Sequence, residues 1–477
     1  MIEIKDIFFG ISNIFFALLV SYYLMTCFQW FSYKIKRVIF HFTRPLWHVF
    51  FFIVPIMLYY TTGNLFFIYF YFAFVPSLFL WNKKLDKKLV FTNRVKRFFV
   101  ILCLALIIQN LFYILNNGNF SKDIIFPIFI SFVFSHFFEK MNAIYYKKKA
   151  LDKIQSNKNL KIILITASYG KTSIKNFLFE ILKDDFNCHK TPRSVNTLVG
   201  LIKDINENIT NQTQIYIAEA GARLKGDIYE ISTYLNPDVV VVGEIGKQHI
   251  EYFKSIENIR NTKLEALQSN NLKKAFLHSS TLKNDEKNIE IYNKNIKDIK
   301  SDLDGISFVL DDNSFSSSLI GKFNIENLCA CIKVTKFFGL DSDKIQNKIK
   351  NLKNVEHRLE KINANGKVII DDSFNGNFTG MSSSYELVST YSGRKILITP
   401  GIMESSKDEN EKLSRIINDI FDVVIISSPL NAQALLKFLS KPQIVILKDK
   451  NKMQETLIEH TKIGDLILFS NDAPSFM

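Results

Sequence analysis

The stretch "LITASYGKTSIKNFL", residues 164–178, decides how the chain is read. An apolar run at 160–166 (LKIILIT) ends in the small-residue turn Ala167-Ser168-Tyr169-Gly170, followed by Lys171, Thr172, Ser173 and a segment of helical periodicity. A strand that empties into Gly-Lys-Thr at the start of a helix aims backbone N–H groups and the helix's positive end at phosphate oxygens. Gly170 permits close backbone approach, Lys171 neutralises β/γ-phosphate charge, and the Thr172 hydroxyl is placed to bind Mg²⁺. The strict G-x-x-x-x-G-K-[ST] pattern fails, because Ile165 stands where its first glycine belongs. The strand–turn–helix context still predicts an ATP site.

Downstream, short β-branched runs alternate with helical segments: 214–219, 238–242, 367–371, 395–399, 422–427, 443–447 and 465–469. Continuous apolar runs of this length predict parallel strands buried on both faces, hence an α/β fold. The spacing divides it in two, with the join near 350–357, giving domains at 151–353 and 354–477.

Residues 1–145 read differently. The first 150 residues hold 17 Lys/Arg against 5 Asp/Glu, so most of the net +14 lies there, among apolar runs. That placement argues against nucleic acid as a partner and for a lipid bilayer. Apolar stretches at 8–31, 46–62, 64–81, 97–117 and 123–139 each meet the roughly 17-residue minimum for a membrane-spanning helix. Fifteen of the 17 basic residues fall in alternate loops, which the positive-inside rule makes cytoplasmic. Five spans then put the N-terminus outside and the α/β part in the cytoplasm, at a bacterial inner membrane. Five cysteines at 27, 103, 188, 329 and 331 form no metal-ligand spacing and read as small buried side chains in a reducing compartment.

The order of motifs beyond residue 160 resembles the Mur ligase family, ATP-dependent amide-forming enzymes of peptidoglycan precursor synthesis. The family's shorter loop, T-[GS]-x-x-G-K-[TS], stands here as T-A-S-Y-G-K-T, with Ala167 at the usual first glycine. "TPRSVNTLVG" (191–200) resembles the segment facing substrate, which puts Asn196 and Thr197 there; "IAEAGARLKGDI" (217–228) resembles the strand carrying a metal-binding glutamate, Glu219. "NPDVVVVGEIGKQHIEYFKSIENIRNTKLEAL" (236–267) supplies the family's histidine at His249 and its lysine, commonly carbamylated by CO₂, at Lys263. "GKFNIENLCACI" (321–332) resembles the adenine-side G-x-H-N-x-x-N: Asn324 and Asn327 match, and Phe323 replaces the histidine. "HRLEKINANGKVIIDDSFNGN" (357–377) implies that Arg358 approaches the γ-phosphate, Asp372 the nucleotide and Asn375 the substrate.

The resemblance implies ATP with two Mg²⁺, one on Thr172 and one on Glu219, His249 and a carbamylated Lys263. ATP would phosphorylate a carboxylate and an amine would attack the acyl phosphate. Taken singly, each residue also has a structural reading: Glu219 as a solvated strand end, Lys263 paired with a neighbouring carboxylate, Arg358 in an interdomain ion pair. "DDSFNGN", "ILITPGIMESSKDENEKL" and "GDLILFSNDAPSFM" look most like the branch that adds D-alanyl-D-alanine to UDP-MurNAc-tripeptide. Soluble members grip the UDP moiety with an N-terminal domain, and here five apolar segments stand in its place. Other membrane-associated amide ligases, poly-γ-glutamate synthase-like or lipid II-modifying, therefore stay open, as does a nucleotide-binding scaffold touching other cell-wall proteins.

Overall fold

The computed structural model describes residues 4–31, 33, 35–40, 44–85, 88–117, 120–193, 195–247, 250–374, 376–402, 407–447, 449 and 452–471. The chain divides into two compact units, residues 1–145 and 146–477.

The first unit is helical. Helix Ile4–Trp30 lays Phe16 against Tyr59, Phe66, Phe70 and Phe74, with ring centroids 4.6–5.7 Å apart. The stretch Leu46–Lys83 is a hairpin of two helical arms: Phe51 meets Trp81 at 5.4 Å and Tyr59 meets Phe66 at 5.2 Å. It turns at Gly63, whose φ of 57° lies in the left-handed region that glycine adopts without strain. Helices Asn93–Asn117 and Ile125–Ser156 follow.

Three helical stretches are long and apolar enough to cross a membrane by length and composition: Ile4–Trp30, Leu46–Lys83 and Asn93–Asn116. The hairpin carries the two segments expected at 46–62 and 64–81. The fifth expected span lies in Ile125–Ser156, which is not one of the three. Its apolar run ends at Phe138, before Glu139 and Lys140. Large apolar side chains nevertheless point outward in helical stripes, Leu104, Ile107, Ile108, Leu111, Phe112 and Leu115 on one helix and Phe126, Phe129, Val133 and Phe137 on the next. A helix that turns its apolar stripe away from its neighbours is built for an apolar surrounding or partner.

The second unit holds three sheets. Strands β1 (Lys161–Thr166), β2 (Cys188–Lys190), β3 (Ile215–Ala220), β4 (Val239–Val242), β5 (Lys274–Leu277) and β6 (Ile289–Ile291) form a parallel sheet in the order β2-β3-β1-β4-β5-β6. Alternate residues of one strand enter opposite cores. Ile163 and Ile165 pack with helices Lys171–Leu182 and Phe323–Phe337, while Ile162 and Leu164 pack with Leu201, Ile205 and Ile231. Burial on both faces is why these strands read as unbroken apolar runs.

Strands β7 (Ile296–Ser301), β8 (Ile306–Leu310) and β9 (Asn313–Ser317) make a small antiparallel sheet. Strands β10 (Glu360–Ala364), β11 (Lys367–Asp372), β12 (Lys395–Thr399), β13 (Val423–Ile426), β14 (Gln443–Ile446) and β15 (Leu466–Ser470) form the third, in the order β10-β11-β15-β12-β13-β14. Only β10 runs antiparallel among them, paired to β11 across an Asn365-Gly366 turn.

In the first sheet the chain leaves β1 toward β2 and β3 on one side, then returns to build β4 to β6 on the other. The reversal opens a crevice at the carboxyl end of β1, where ligands of open α/β sheets bind. The 164–178 segment sits there.

Candidate functional site

Residues 167–170 form the turn between β1 and helix Lys171–Leu182. Gly170 takes φ 78°, and a Cβ on it would come within 2.3 Å of Asn327 Oδ1, so glycine is required on both counts. Asn327 is held in turn, its Nδ2 donating to Asn324 Oδ1 at 3.0 Å, and Asn324 Nδ2 donates to the Ile320 carbonyl at 2.8 Å. Both asparagines are buried and form the wall behind the loop.

Ala167 is buried, and Gly243 after β4 explains how it fits: a Cβ at 243 would lie 2.9 Å from the Ala167 Cβ. Ser168 ties the loop to the same segment. Its N–H donates to Glu244 O at 2.8 Å and its hydroxyl to Gly246 O at 3.1 Å. Burial raises the Tyr169 phenol to about 12, helped by Glu244 and by Glu409 of helix Lys407–Ile420, which places that helix near the loop. Ser173 is buried on the first turn of the helix.

Glu219, at the carboxyl end of β3, is buried rather than solvated. Its Oε2 accepts from Thr172 Oγ1 at 3.1 Å and lies 3.0 Å from Lys175 Nζ, while Oε1 accepts from Asn196 Nδ2 at 3.2 Å. Thr197 is instead the N-cap of helix Leu198–Asn208, its hydroxyl accepting from Gly200 N at 3.3 Å. The hydroxyl of Thr172 and the carboxylate of Glu219 present hard oxygens to one point, the donor set that suits Mg²⁺. The residues present therefore fit a divalent cation.

Lys263, on helix Ile256–Leu264, is 3 % exposed. Burial lowers its ammonium to about 7, the charge of Lys171 lowers it further, and Asp227, Glu219 and Glu265 oppose the shift. The neighbouring Glu265 carboxylate is engaged elsewhere, accepting from Gly226 N at 3.0 Å and Tyr229 N at 3.1 Å. Lys171, partly buried, is likewise lowered by burial to about 8, with Glu219 raising it and Arg358 lowering it.

Arg358 sits between two residues of left-handed backbone, His357 at φ 63° and Leu359 at φ 53°. Neither is glycine, so the segment is strained and must be held by its surroundings. The restraints are visible: Leu359 N donates to Asp372 Oδ1 at 3.2 Å, Arg358 N to Val355 O at 2.9 Å, and His357 Nδ1 meets Asp371 Oδ2 at 2.7 Å. Burial lowers the Arg358 guanidinium, against the opposing charges of Glu219 and Asp372. Those couplings bring a cation and a carboxylate from the β10–β15 layer to the edge of the first sheet.

Lys171, Lys263, Arg358, Asp372, Thr172, Glu219, Asn196, Asn324 and Asn327 thus gather at one carboxyl edge. His249 and Asn375 lie outside the described residues. Sequence reading passed over Lys175, Gly243 and Glu244. Lys175 carried a signal, standing four residues after Lys171 and so on the same helix face. One buried carboxylate lies against Lys175 and within electrostatic reach of Lys171, Lys263 and Arg358, a set of cations that can bind a polyanion and neutralise charge that develops on it.

Comparison with known proteins follows the same outline. The family profile of the Mur ligase middle domain matches residues 165–335. The UDP-N-acetylmuramoyl-tripeptide--D-alanyl-D-alanine ligase of Bacillus subtilis (strain 168) is 27 % identical over 333 residues, 65 % of this chain and 72 % of that protein. The protein of the same name from Borreliella burgdorferi is 28 % identical over 238 residues, 46 % of this chain and half of that one. Among solved structures, MurF ligase of Thermotoga maritima in complex with ADP superposes with a TM-score of 0.59 at 23 % identity, covering 69 % of this chain and 80 % of that one. A MurF of Acinetobacter baumannii gives 0.63 at 20 % identity, covering 69 % and 78 %.

Proposed function

We propose that the chain is a MurF-like Mur ligase that joins D-alanyl-D-alanine to UDP-MurNAc-tripeptide with ATP, releasing ADP and phosphate. The tripeptide's terminal carboxylate oxygen attacks the γ-phosphorus of ATP, the bond to the β-phosphate oxygen breaks, and ADP leaves. The D-Ala-D-Ala amine then attacks the acyl carbon, loses a proton, and expels phosphate as the amide forms. Both steps concentrate negative charge, so catalysis lies mainly in fixed positive charge and positioning.

Lys171 and Arg358 supply that charge at the triphosphate, one from the turn after β1 and one from the strained segment before β10. One Mg²⁺ would be held by Thr172 and a second by Glu219, His249 and a carbamylated Lys263; when bound, magnesium would neutralise phosphate charge. A lysine held near 7 keeps the neutral amine that reacts with CO₂. Asp372, Asn324 and Asn327, with residues 167–173, position the nucleotide, and Asn196, Thr197 and Asn375 face the acceptor side. The single observation that carries the reading is the buried Glu219, paired with Lys175 and coupled electrostatically to Lys171, Lys263 and Arg358.

The first 145 residues anchor the enzyme in a bilayer through several helical passes, basic loops on the cytoplasmic side. The outward apolar stripes support this, and they favour a second reading in which the acceptor is itself lipid-linked. The test incubates detergent-purified protein with ATP, Mg²⁺, D-Ala-D-Ala and UDP-MurNAc-tripeptide and looks for the pentapeptide mass. ADP release only with a lipid-linked peptide acceptor would overturn the first reading in favour of the second.

A further inference from the structure

Lys175 is among the most deeply buried charges in the second unit, its side chain 1 % exposed beside a Glu219 side chain 2 % exposed. Its Nζ lies 3.0 Å from Glu219 Oε2, the oxygen that also accepts from Thr172, and it donates to the Arg193 carbonyl. Arg193 sits at φ 41° in the segment that carries Asn196, and Asn196 holds the other carboxylate oxygen. One ammonium therefore joins the first helix after β1, the metal-binding carboxylate and the acceptor-side segment. A lone carboxylate so buried would be strongly disfavoured, and Lys175 supplies its counter-charge. The same charge opposes any second cation on that oxygen.

We propose that Lys175 is a positioning residue that makes divalent-cation binding at Glu219 conditional on nucleotide. Without triphosphate, Lys175 satisfies Glu219 and repels the ion; with triphosphate, the added negative charge offsets the lysine and the ion binds. The inference rests on reading Glu219 as a cation ligand. It makes cation and nucleotide bind cooperatively, so free Mg²⁺ does not occupy the site alone.

The experiment titrates full-length, detergent-purified protein with Mn²⁺, read by electron paramagnetic resonance, with and without a non-hydrolysable ATP analogue. Wild type is expected to bind Mn²⁺ about tenfold or more tightly with the analogue present. Lys175→Met should raise the nucleotide-free affinity about tenfold and shrink that coupling, whereas Lys175→Arg, which keeps the charge, should retain it. Thermal melting checks that each variant folds, and if Lys175→Met does not, Lys175→Gln takes its place. Glu219→Gln separates the two ideas. If it weakens Mn²⁺ binding while the neutral Lys175 variants bind as wild type does, the role of Lys175 is overturned alone. If Glu219→Gln leaves Mn²⁺ binding unchanged, the reading of Glu219 falls and the inference with it.

Discussion

Lys171 donates its ammonium to the carbonyl of Ala167, four residues before it, at 2.7 Å, and to that of Ser168 at 3.0 Å. In this form the lysine folds back on its own loop, and it must leave those carbonyls to reach a triphosphate. Burial holds its ammonium near 8, below the ordinary lysine value, so the folded state disfavours the charge. That penalty is fully present below pH 8 and fades as pH rises toward 10. Lys171→Met should therefore leave the nucleotide-free melting temperature unchanged or raised at pH 7. The same variant should lose the rise in melting temperature that MgADP gives the wild type, and turnover should fall at least about 100-fold.

Lys263 yields a prediction about carbon dioxide. Its ammonium is held near 7 chiefly by burial and by Lys171, so the neutral amine grows as pH rises through 7. Only that amine attacks CO₂. Protein equilibrated with ¹³C-bicarbonate should show a carbamate resonance that weakens below pH 7, strengthens above it, and vanishes in Lys263→Ala. Removing CO₂ should lower turnover more at pH 8, where the carbamate is populated, than at pH 6.5. A carbamate signal that persists in Lys263→Ala would assign it to another amine.

Arg358 is presented by a strained segment, and strain kept at such a site is expected to serve the chemistry. Arg358→Lys keeps a charge but not the planar fork, and should cost about 100-fold or more in kcat with little change in ADP affinity. Single-turnover measurement of acyl phosphate formation separates this from slow product release. An equal loss in kcat and in ADP affinity would mean that the arginine binds nucleotide uniformly and does not act on the transition state.

Ala167 and Gly243 form a steric pair that can be tested by rescue. A Cβ at 243 would approach the Ala167 Cβ to 2.9 Å and the Tyr169 carbonyl to 3.4 Å. Gly243→Ala should destabilise the protein by about 1–3 kcal/mol through overpacking. Adding Ala167→Gly, which removes the methyl that the new Cβ would meet, should recover most of that loss in a double-mutant cycle of thermal stabilities. Additive losses would show that the two sites do not share the space.

How much was legible follows from the physics of each element. All eight parallel strands that were expected are present, because each writes an apolar run into the chain, most of them through burial on both faces; β14, at the sheet edge, is only partly buried. Strands β2, β5 and β6 were missed because three or four residues with a lysine or glutamate among them leave no such run. Strands β8 and β9 alternate buried and exposed residues about an Asp311-Asp312 turn in the left-handed region, and β10 joins β11 through Asn365-Gly366. Both are hairpin signals that a search for helix-separated strands passes over. At the site, Lys171, Thr172 and Glu219 could be read from local order. Lys175 left only its helix-face spacing from Lys171, and Gly243 left no signal, since their roles depend on contacts with β3 and with the turn after β1, distant in the chain. The tight hairpin at Gly63 was legible from two apolar runs meeting at a small polar loop.

The apolar stripes of the first unit make the last prediction. Leu104, Ile107, Ile108, Leu111, Phe112 and Leu115 are all more than half exposed, an arrangement that water would penalise and hydrocarbon would not. The protein should sediment with membranes, resist alkaline carbonate, and come into solution only with detergent. Topology can be read by single cysteines placed in a chain whose five native cysteines have been replaced. A cysteine at Asn64, in the hairpin turn between expected spans, should react with a membrane-impermeant maleimide added outside intact cells. One at Lys84, at the basic end of the same hairpin, should react only after the membrane is opened. Labelling of both from outside would refute the hairpin as a transmembrane pair, and release by carbonate would refute the anchor. Charged substitutions give the energetic check: Ile108→Lys should lower membrane-inserted yield, because a lysine facing mid-bilayer costs about 2.5–3.5 kcal/mol. The same change on a surface facing water would relieve an exposed apolar patch and leave the yield unchanged or improved.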